Sequence, residues 1–372
     1  MRGLTDKYGV SEYANALRVL HLSHAGLPDE RVERAAWSSR LNGDEVCFAG
    51  PKFEELSLPS DPFLAKQRIV FSLGSNLGEP LSTSRLDKRF KRIISEAKPD
   101  LVHAHDIFAA RLAVRAHVPF VYDDHEYWSR EATANAGLLD LSATYKSMLW
   151  SSWEHSVLCQ AQATIVVSEP TAAEHAKRTR KVYIVPNFPR KAEIQSISKP
   201  EQGEELRSVY VGTCTAPFTR FRDTSGLTDM FQKGGVGSLT VIGDNRLRSA
   251  PSVVSTGRLS HSEMMRTMSG CHLGLVPWKK HWFHPYCNPN KAYEYAHAGC
   301  LVMVTSSLTQ VRSTLADRCM TFEDQDAMVS MLSELKPRAG DLIEQRQDMQ
   351  AYARDNLIWD KYDSVLKEAY TR

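Results

Sequence analysis

The sequence predicts an α/β protein built from two doubly wound domains that face a common cleft. Three observations predict it. Short strand-like runs alternate with helical patterns along most of the chain, the signature of βαβ units and parallel sheets. The alternation stops at a polar, aperiodic stretch, 191–206 ("KAEIQSISKPEQGEEL"), and then resumes. The length, 372 residues, exceeds what one hydrophobic core usually organises.

In the first half, "RVLHLS" (18–23) is a strand, followed by a helix from Asp29 to about Leu41 with Val32, Ala35, Ala36 and Ser39 on one stripe. "EVCFAG" is the next strand. Residues 85–98 form a helix with Leu86, Phe90, Ile93 and Ala97 on one face and six basic residues elsewhere. "DLVHAHD" and "PFVYDDHE" are strands that end in polar clusters. A long helix (143–162), "ATIVVSE" and "KVYIVPNFP" close this half. The second half offers the strands "RSVYVGT", "SLTVIGD", "SVVSTG", "CHLGLVP" and "CLVMVTS", with helices between them. One helix begins at "SHSE", where Ser260 and Glu263 have capping-box spacing. The tail "NLIWDKYDSVLKEAY" reads as a final amphipathic helix.

The composition narrows the function. A net charge of +2 is too mild for a nucleic-acid binder. Seven cysteines without a CxxC pair fit no disulfide framework and suggest a reducing compartment. The first 26 residues lack the apolar core of a signal peptide, and no run is long enough to span a membrane. A cytoplasmic protein is expected. The basic helix at 85–98 leaves open peripheral contact with the inner face of a membrane.

Ligands of open α/β sheets bind beyond the carboxyl ends of the strands, which singles out four segments. In "VHAHD", strand alternation puts His103 and His105 on one side, with His105 nearer the end and so nearer a cleft, and Asp106 following. "VYDDHE" adds Asp123, Asp124, His125 and Glu126. Such a wall suits hydrogen bonds to a sugar and a phosphate. It also has residue types found in metal sites. In "CNPNKAYEYAHAG", Asn288 is a candidate N-cap, Pro289 suits the first helical position, and Gly299 ends the helix. Asn290 and Lys291 then stand at a helix N-terminus, where free N–H groups and the dipole favour an anion. Glu294, one turn on, could accept two hydrogen bonds from a ribose diol. The loop "GTCTAPFTRFRD" contributes Gly212 and Thr213 at a strand end and Arg220 and Arg222 as phosphate clamps.

Taken in order, "PDLVHAHD", "PFVYDDHE", "ATIVVSE", "VYIVPNFP", "VYVGT", "LTVIGD", "LGLVPW" and "NPNKAYEYAHAGC" resemble the GT-B glycosyltransferases, and look most like the retaining family 4. The resemblance spans about 18 to 370 and rests on the combination "HAHD…DHE…VSE…PN" with "NKxxEYxxAG". It implies an N-terminal Rossmann-like acceptor domain (1–190), a linker (191–206), a C-terminal nucleotide-sugar domain (207–354) and a last helix (355–372) that crosses back. It implies a UDP- or GDP-linked sugar donor, a glycan, lipid-linked or small-molecule acceptor, and neither metal nor other cofactor. By the same resemblance Glu294 would hold the ribose. Lys291 with Arg220 or Arg222 would hold the diphosphate, and a histidine of "HAHD", taken as His105, would contact sugar or phosphate. Asp106, His125 and Glu126 complete the expected catalytic wall.

The chain departs from that pattern at three places. Tyr286 stands where the first acid of a Glu-x7-Glu motif is expected, the Arg…Lys pair after the first C-terminal strand is replaced by two arginines, and the N-terminal loop "SHAGLPDERV" keeps only Gly26. Two other readings stay open: a metal-dependent hydrolase built on His103, His105 and His125, and a non-catalytic binding relative.

Overall fold

A computed structural model describes residues 16–50, 68–70, 83–137, 140–195 and 197–371. Residues 1–15, on which much of the signal-peptide expectation falls, and the side chains of Arg85 and Leu86 lie outside the described set. Two sheets form, and each described strand pairing within them is parallel. The first holds β1 (Arg18–Ser23), β2 (Glu45–Gly50), β3 (Arg68–Val70), β4 (Leu101–His105), β5 (Phe120–Asp124), β6 (Ala163–Val166) and β7 (Val182–Ile184), in the order β3-β2-β1-β4-β5-β6-β7. The second holds β8 (Arg207–Val211), β9 (Ser238–Ile242), β10 (Val253–Gly257), β11 (Leu273–Val276), β12 (Leu301–Thr305) and β13 (Cys319–Phe322), in the order β10-β9-β8-β11-β12-β13. The strand order turns at β1/β4 and at β8/β11, the crevices where such sheets bind ligands.

The helices are α1 (Glu30–Leu41), α2 (Thr83–Ala97), α3 (Asp106–Ala116), α4 (Trp128–Ala134), α5 (Leu141–Gln160), α6 (Glu169–His175) and α7 (Lys191–Ile194), then α8 (Leu227–Gly234), α9 (His261–Ser269), α10 (Asn290–His297), α11 (Thr309–Leu315), α12 (Gln325–Leu335), α13 (Ile343–Asn356) and α14 (Asp363–Tyr370). Asp29 starts α1 by accepting from the N–H groups of Arg31 and Val32. The expected stripe Val32, Ala35, Ala36 and Ser39 is buried. On α2, Phe90 and Ile93 are buried in the core while Lys88, Arg89, Lys91 and Arg92 are exposed, so its apolar face packs inward. Ser260 and Glu263 form the expected capping box. Among the described residues no helix is long and apolar enough to cross a membrane.

Four elements differ from expectation. The stretch 191–206 is not wholly irregular: α7 forms because Glu193 is drawn into a buried pair with Arg34 (2.7 Å). The tail is not one helix. A 3-10 turn at Trp359–Tyr362 precedes α14, since Trp359 is pulled into the core with its indole N–H donating to Ser38. Strands β3 and β13, absent from the sequence reading, are only three and four residues long.

A line of buried polar contacts joins the two halves. Arg31 on α1 donates to Asp123 at the end of β5 (Nη2–Oδ1 2.6 Å) and, through Nη1, to the Val185 carbonyl and the Asn187 side chain. Asn187 donates to the Asn288 carbonyl, and Asn288 donates to the Val167 carbonyl. The entry to α10 is thereby fixed to the first sheet. Removing one member of a buried ion pair leaves the other uncompensated, at a cost of about 3–5 kcal/mol. Arg31→Met should therefore lower the unfolding free energy by roughly that amount, read from the shift of the urea denaturation midpoint.

Candidate functional site

The facing strand ends enclose a cavity of about 420 Å³. Its floor is the N-terminus of α10. Asn288 does not cap this helix as expected; its amide is used between the halves and its oxygen accepts from Tyr293. Pro289 takes the cap position without a side-chain bond. The first-turn N–H groups, which no helix can pair internally, therefore lie at the cavity. Gly299, at φ 73°, ends the segment as expected.

Lys291 and Glu294 both line the cavity. The Lys291 ammonium lies 4.6 Å from the Tyr210 ring centroid and 5.4 Å from that of Trp278, and it has no hydrogen-bond or ion-pair partner among the described residues. Burial lowers its pKa to about 7, and Arg222 adds to the shift. Glu294 is 6% exposed and likewise without a hydrogen-bonding partner among the described residues. Burial raises its pKa to about 7, against the pull of Arg34. A half-buried lysine and a buried carboxylate, neither with a hydrogen-bonded or ionic partner and one turn apart, are costly for a fold unless a ligand completes them.

Gly212 follows β8 at φ 138°, a conformation open to glycine, and a Cβ there would stand 2.9 Å from the Lys291 ammonium. Asp244 holds the next turn by accepting from the N–H groups of Cys214 and Thr215. Of the two candidate arginines, Arg222 lines the cavity and pairs with Glu126 across it. Arg220 does not line it: the residue is exposed, and its backbone N–H donates to Asn135 of the first half. Thr213 is also exposed and outside the lining.

On the opposite wall the structure keeps one of the two expected histidines at the cavity, His125, and withdraws the other, His105. His105 is fully buried, because its ring lies against His103 and His21 inside the sheet face rather than at the strand tip. His125 lines the cavity. Its Nε2 is 3.0 Å from His105 Nδ1, and its backbone N–H donates to Asp106. Burial alone would lower the His125 pKa, but Asp106 and Asp123 outweigh it and raise it to about 9. An imidazolium therefore faces the cleft at neutral pH. Asp106 stands behind it rather than in the lining. Its φ of 66° costs roughly 1–3 kcal/mol for a non-glycine residue, and its carboxylate also accepts from the Trp128 indole.

Tyr286 lines the cavity within an aromatic group, its ring 5.1 Å from Tyr127 and 5.8 Å from Phe283. Asn290 lines it as well. The sequence reading missed Glu30, Asn187 and Trp278, which also line the cavity. Asn187 belongs to the quoted "VPN" run, but its partner, the Asn288 carbonyl, is 101 residues away.

Among the described residues three groups have ligand-like spacing: His21/His103/His105, His105/Asp123/His125 and Asp124/Glu154/His175. In the first two the ring nitrogens already have protein partners, and Arg31 already neutralises Asp123. In the third His175 pairs with Asp124 at 2.7 Å. The arrangement gives no support to the hydrolase reading.

Residues 41–188, about two-fifths of the chain, match the family model described as Glycosyltransferase Family 4. Solved structures match over almost the whole length. Sucrose-phosphate synthase from Thermosynechococcus elongatus aligns with 14% identity and a TM-score of 0.70, covering 95% of this chain and 98% of that one. A glycosyltransferase from Rickettsia africae ESF-5 aligns with 13% identity and a TM-score of 0.65, covering 96% and 100%. HepE from Anabaena, in complex with UDP and glucose, aligns with 12% identity and a TM-score of 0.64, covering 95% and 98%. At such identities the structures establish the fold. No curated protein matches the sequence. The chain has the GT-B fold, two Rossmann-like halves with parallel sheets. Its first half is similar to glycosyltransferase family 4.

Lys291 binds an anion best as its ammonium. The affinity for a nucleoside diphosphate should be level below a pH of about 7 and fall above it, by up to about tenfold per unit. Lys291→Arg keeps the charge and should flatten that fall. Calorimetric titrations of both proteins across that range check it.

Proposed function

We propose that this nucleotide-sugar glycosyltransferase moves a sugar from a UDP- or GDP-linked donor to a hydroxyl acceptor with retention of anomeric configuration. The observation that carries the reading is the pair Lys291 and Glu294, half-buried and buried at the N-terminus of α10 on the cleft floor, neither with a hydrogen-bonded or ionic partner among the described residues. The diphosphate is taken to sit over that N-terminus, with Lys291, Arg222 and the amides beside Gly212 and Asn290 as donors. Glu294 accepts from the ribose hydroxyls. The UDP and glucose bound by HepE support a nucleoside diphosphate in such a cleft.

The chemistry requires little covalent help from the protein. The bond from the anomeric carbon to the phosphate oxygen breaks, and the acceptor oxygen bonds to that carbon from the same face. The acceptor's proton passes to the departing phosphate. Charge grows on the diphosphate during this step, where Lys291, Arg222, the helix terminus and the His125 imidazolium stabilise it. Arg222 is held by Glu126 before donor arrives, so the diphosphate competes with that carboxylate. Closure of the halves excludes water. Tyr286 places an aromatic face where an acid would bind sugar hydroxyls, so selection of the sugar rests more on shape and stacking than on that acid. The acceptor is a glycan, a lipid-linked or a small molecule, approached from the first half. The reading places the protein in the cytoplasm, with peripheral membrane contact as its limit.

Glu294→Ala should raise the donor KM roughly ten- to hundredfold, the loss of hydrogen bonds to a charged group. Steady-state kinetics with the UDP- or GDP-sugar that a donor panel selects measures it, and an unchanged KM removes the ribose assignment. Transfer should persist in EDTA; complete loss restored by a divalent cation would favour the metal-dependent alternative.

A further inference from the structure

Glu294 is not the only carboxylate at its end of the cavity. Glu30, the first residue of α1, lines the same cavity from the first half. Its carboxylate has no hydrogen-bond or ion-pair partner among the described residues. The two acids are neighbours. Burial does most to raise the Glu294 pKa; Arg34 opposes the rise and Glu30 adds to it. Both also stand near the Arg34 guanidinium. Burial would discharge that group, Glu193 holds it charged, and Glu30 and Glu294 add to the hold. Neither of them bonds to it. Arg34 Nε and Nη2 both donate to Glu193, at 2.9 and 2.7 Å, and Nη1 is buried without a partner.

An acid in the first turn of a helix commonly serves the dipole and the cap. In α1 its neighbours fill those posts. Asp29 accepts from the N–H groups of Arg31 and Val32, and Glu33 accepts from the Asp29 N–H at 3.0 Å. Glu30 is left facing the cavity. Asn187, which also lines the cavity, cannot serve it, because its amide donates to the Asn288 carbonyl and its oxygen accepts from Arg31. Two neighbouring carboxylates, one from each half and both lacking donors, suit a ligand that brings hydroxyls rather than a second anion. A vicinal diol brings two such donors in one rigid unit. With the anion floor at Lys291 one turn away, the cavity has the polarity of a nucleoside diphosphate: charge in one place, hydroxyls beside it.

We propose that Glu30 is a nucleotide-binding residue: it accepts a hydrogen bond from one hydroxyl of the ribose while Glu294 accepts from the other, so that α1 of the first half holds the nucleotide together with α10 of the second. The inference rests on the proposed function for the position of the nucleotide. It makes the site selective for ribonucleotides, since a missing hydroxyl leaves one carboxylate unsatisfied. A carboxylate that merely stood near a diphosphate would act in the opposite direction, and its removal would tighten binding by relieving repulsion.

UDP and GDP are titrated calorimetrically into the full chain, wild type and Glu30→Ala, and the tighter of the two is followed by its 2′-deoxy and 3′-deoxy forms. Glu30→Ala should weaken the ribonucleotide about tenfold or more, and Glu30→Gln, which keeps a neutral acceptor, should weaken it less. Against the deoxy form that lacks the hydroxyl held by Glu30, Glu30→Ala should cost nothing. In the wild type that deoxy form should bind about tenfold more weakly than the ribonucleotide, a comparison that needs no variant. Unchanged or tighter binding of the ribonucleotide by Glu30→Ala overturns the proposal. An equal loss against all three ligands also overturns it, since it marks an effect through the fold. A wild type that binds neither UDP nor GDP removes the proposed function and this inference with it. Binding that depends on Glu294 and not on Glu30 removes this inference alone.

Discussion

The ion pair between Arg31 and Asp123 is the contact on which both walls of the cleft depend. Asp123 gathers His103, His105 and His125 around one carboxylate. Arg31, through its other nitrogen, holds Asn187, which holds Asn288 and so the start of α10. The pair is 96% or more buried on both sides. A pair this deep contributes little net stability over an apolar substitute, so its value lies in specificity: one guanidinium sets the position of the imidazolium wall and of the anion floor together.

The charges left over define the chemistry. Arg31 and Arg34 have carboxylate partners inside the fold. Lys291 and Glu294 have none, and both pay for burial with pKa values displaced toward neutrality. Arg222 has a partner, but one drawn from the opposite wall. The cleft thus holds cationic groups that are unmatched or loosely matched, beside a helix N-terminus. Under the proposed function a diphosphate meets these groups already in place, with Arg222 alone exchanging its Glu126 partner.

Much of the fold was legible because its signals are local. Periodicity marked the stripes of α1 and α2, and capping chemistry marked α9. The pairing of Lys291 with Glu294 was legible from their spacing on one helix. The remainder depends on contacts far apart in sequence. Nothing local distinguishes His105 from His125. Only the packing of His21, 84 residues earlier, shows that His105 is enclosed. The same holds for Arg220 and Arg222, where Glu126 across the cleft decides which faces the cavity. Asn288 looks like an N-cap in sequence, yet Val167 and Tyr293 claim its side chain. Trp359 breaks the expected last helix because Ser38 and the core compete for it.

The account's central claim is that the floor of the cleft is completed by a nucleoside diphosphate. A crystal structure of the chain grown with UDP or GDP tests this most directly. The account predicts phosphate oxygens within hydrogen-bonding distance of Lys291 and the α10 N-terminus, the ribose hydroxyls on Glu294, and Arg222 turned from Glu126 to the diphosphate. A nucleotide bound elsewhere, with Lys291 and Glu294 still unpartnered, would contradict it.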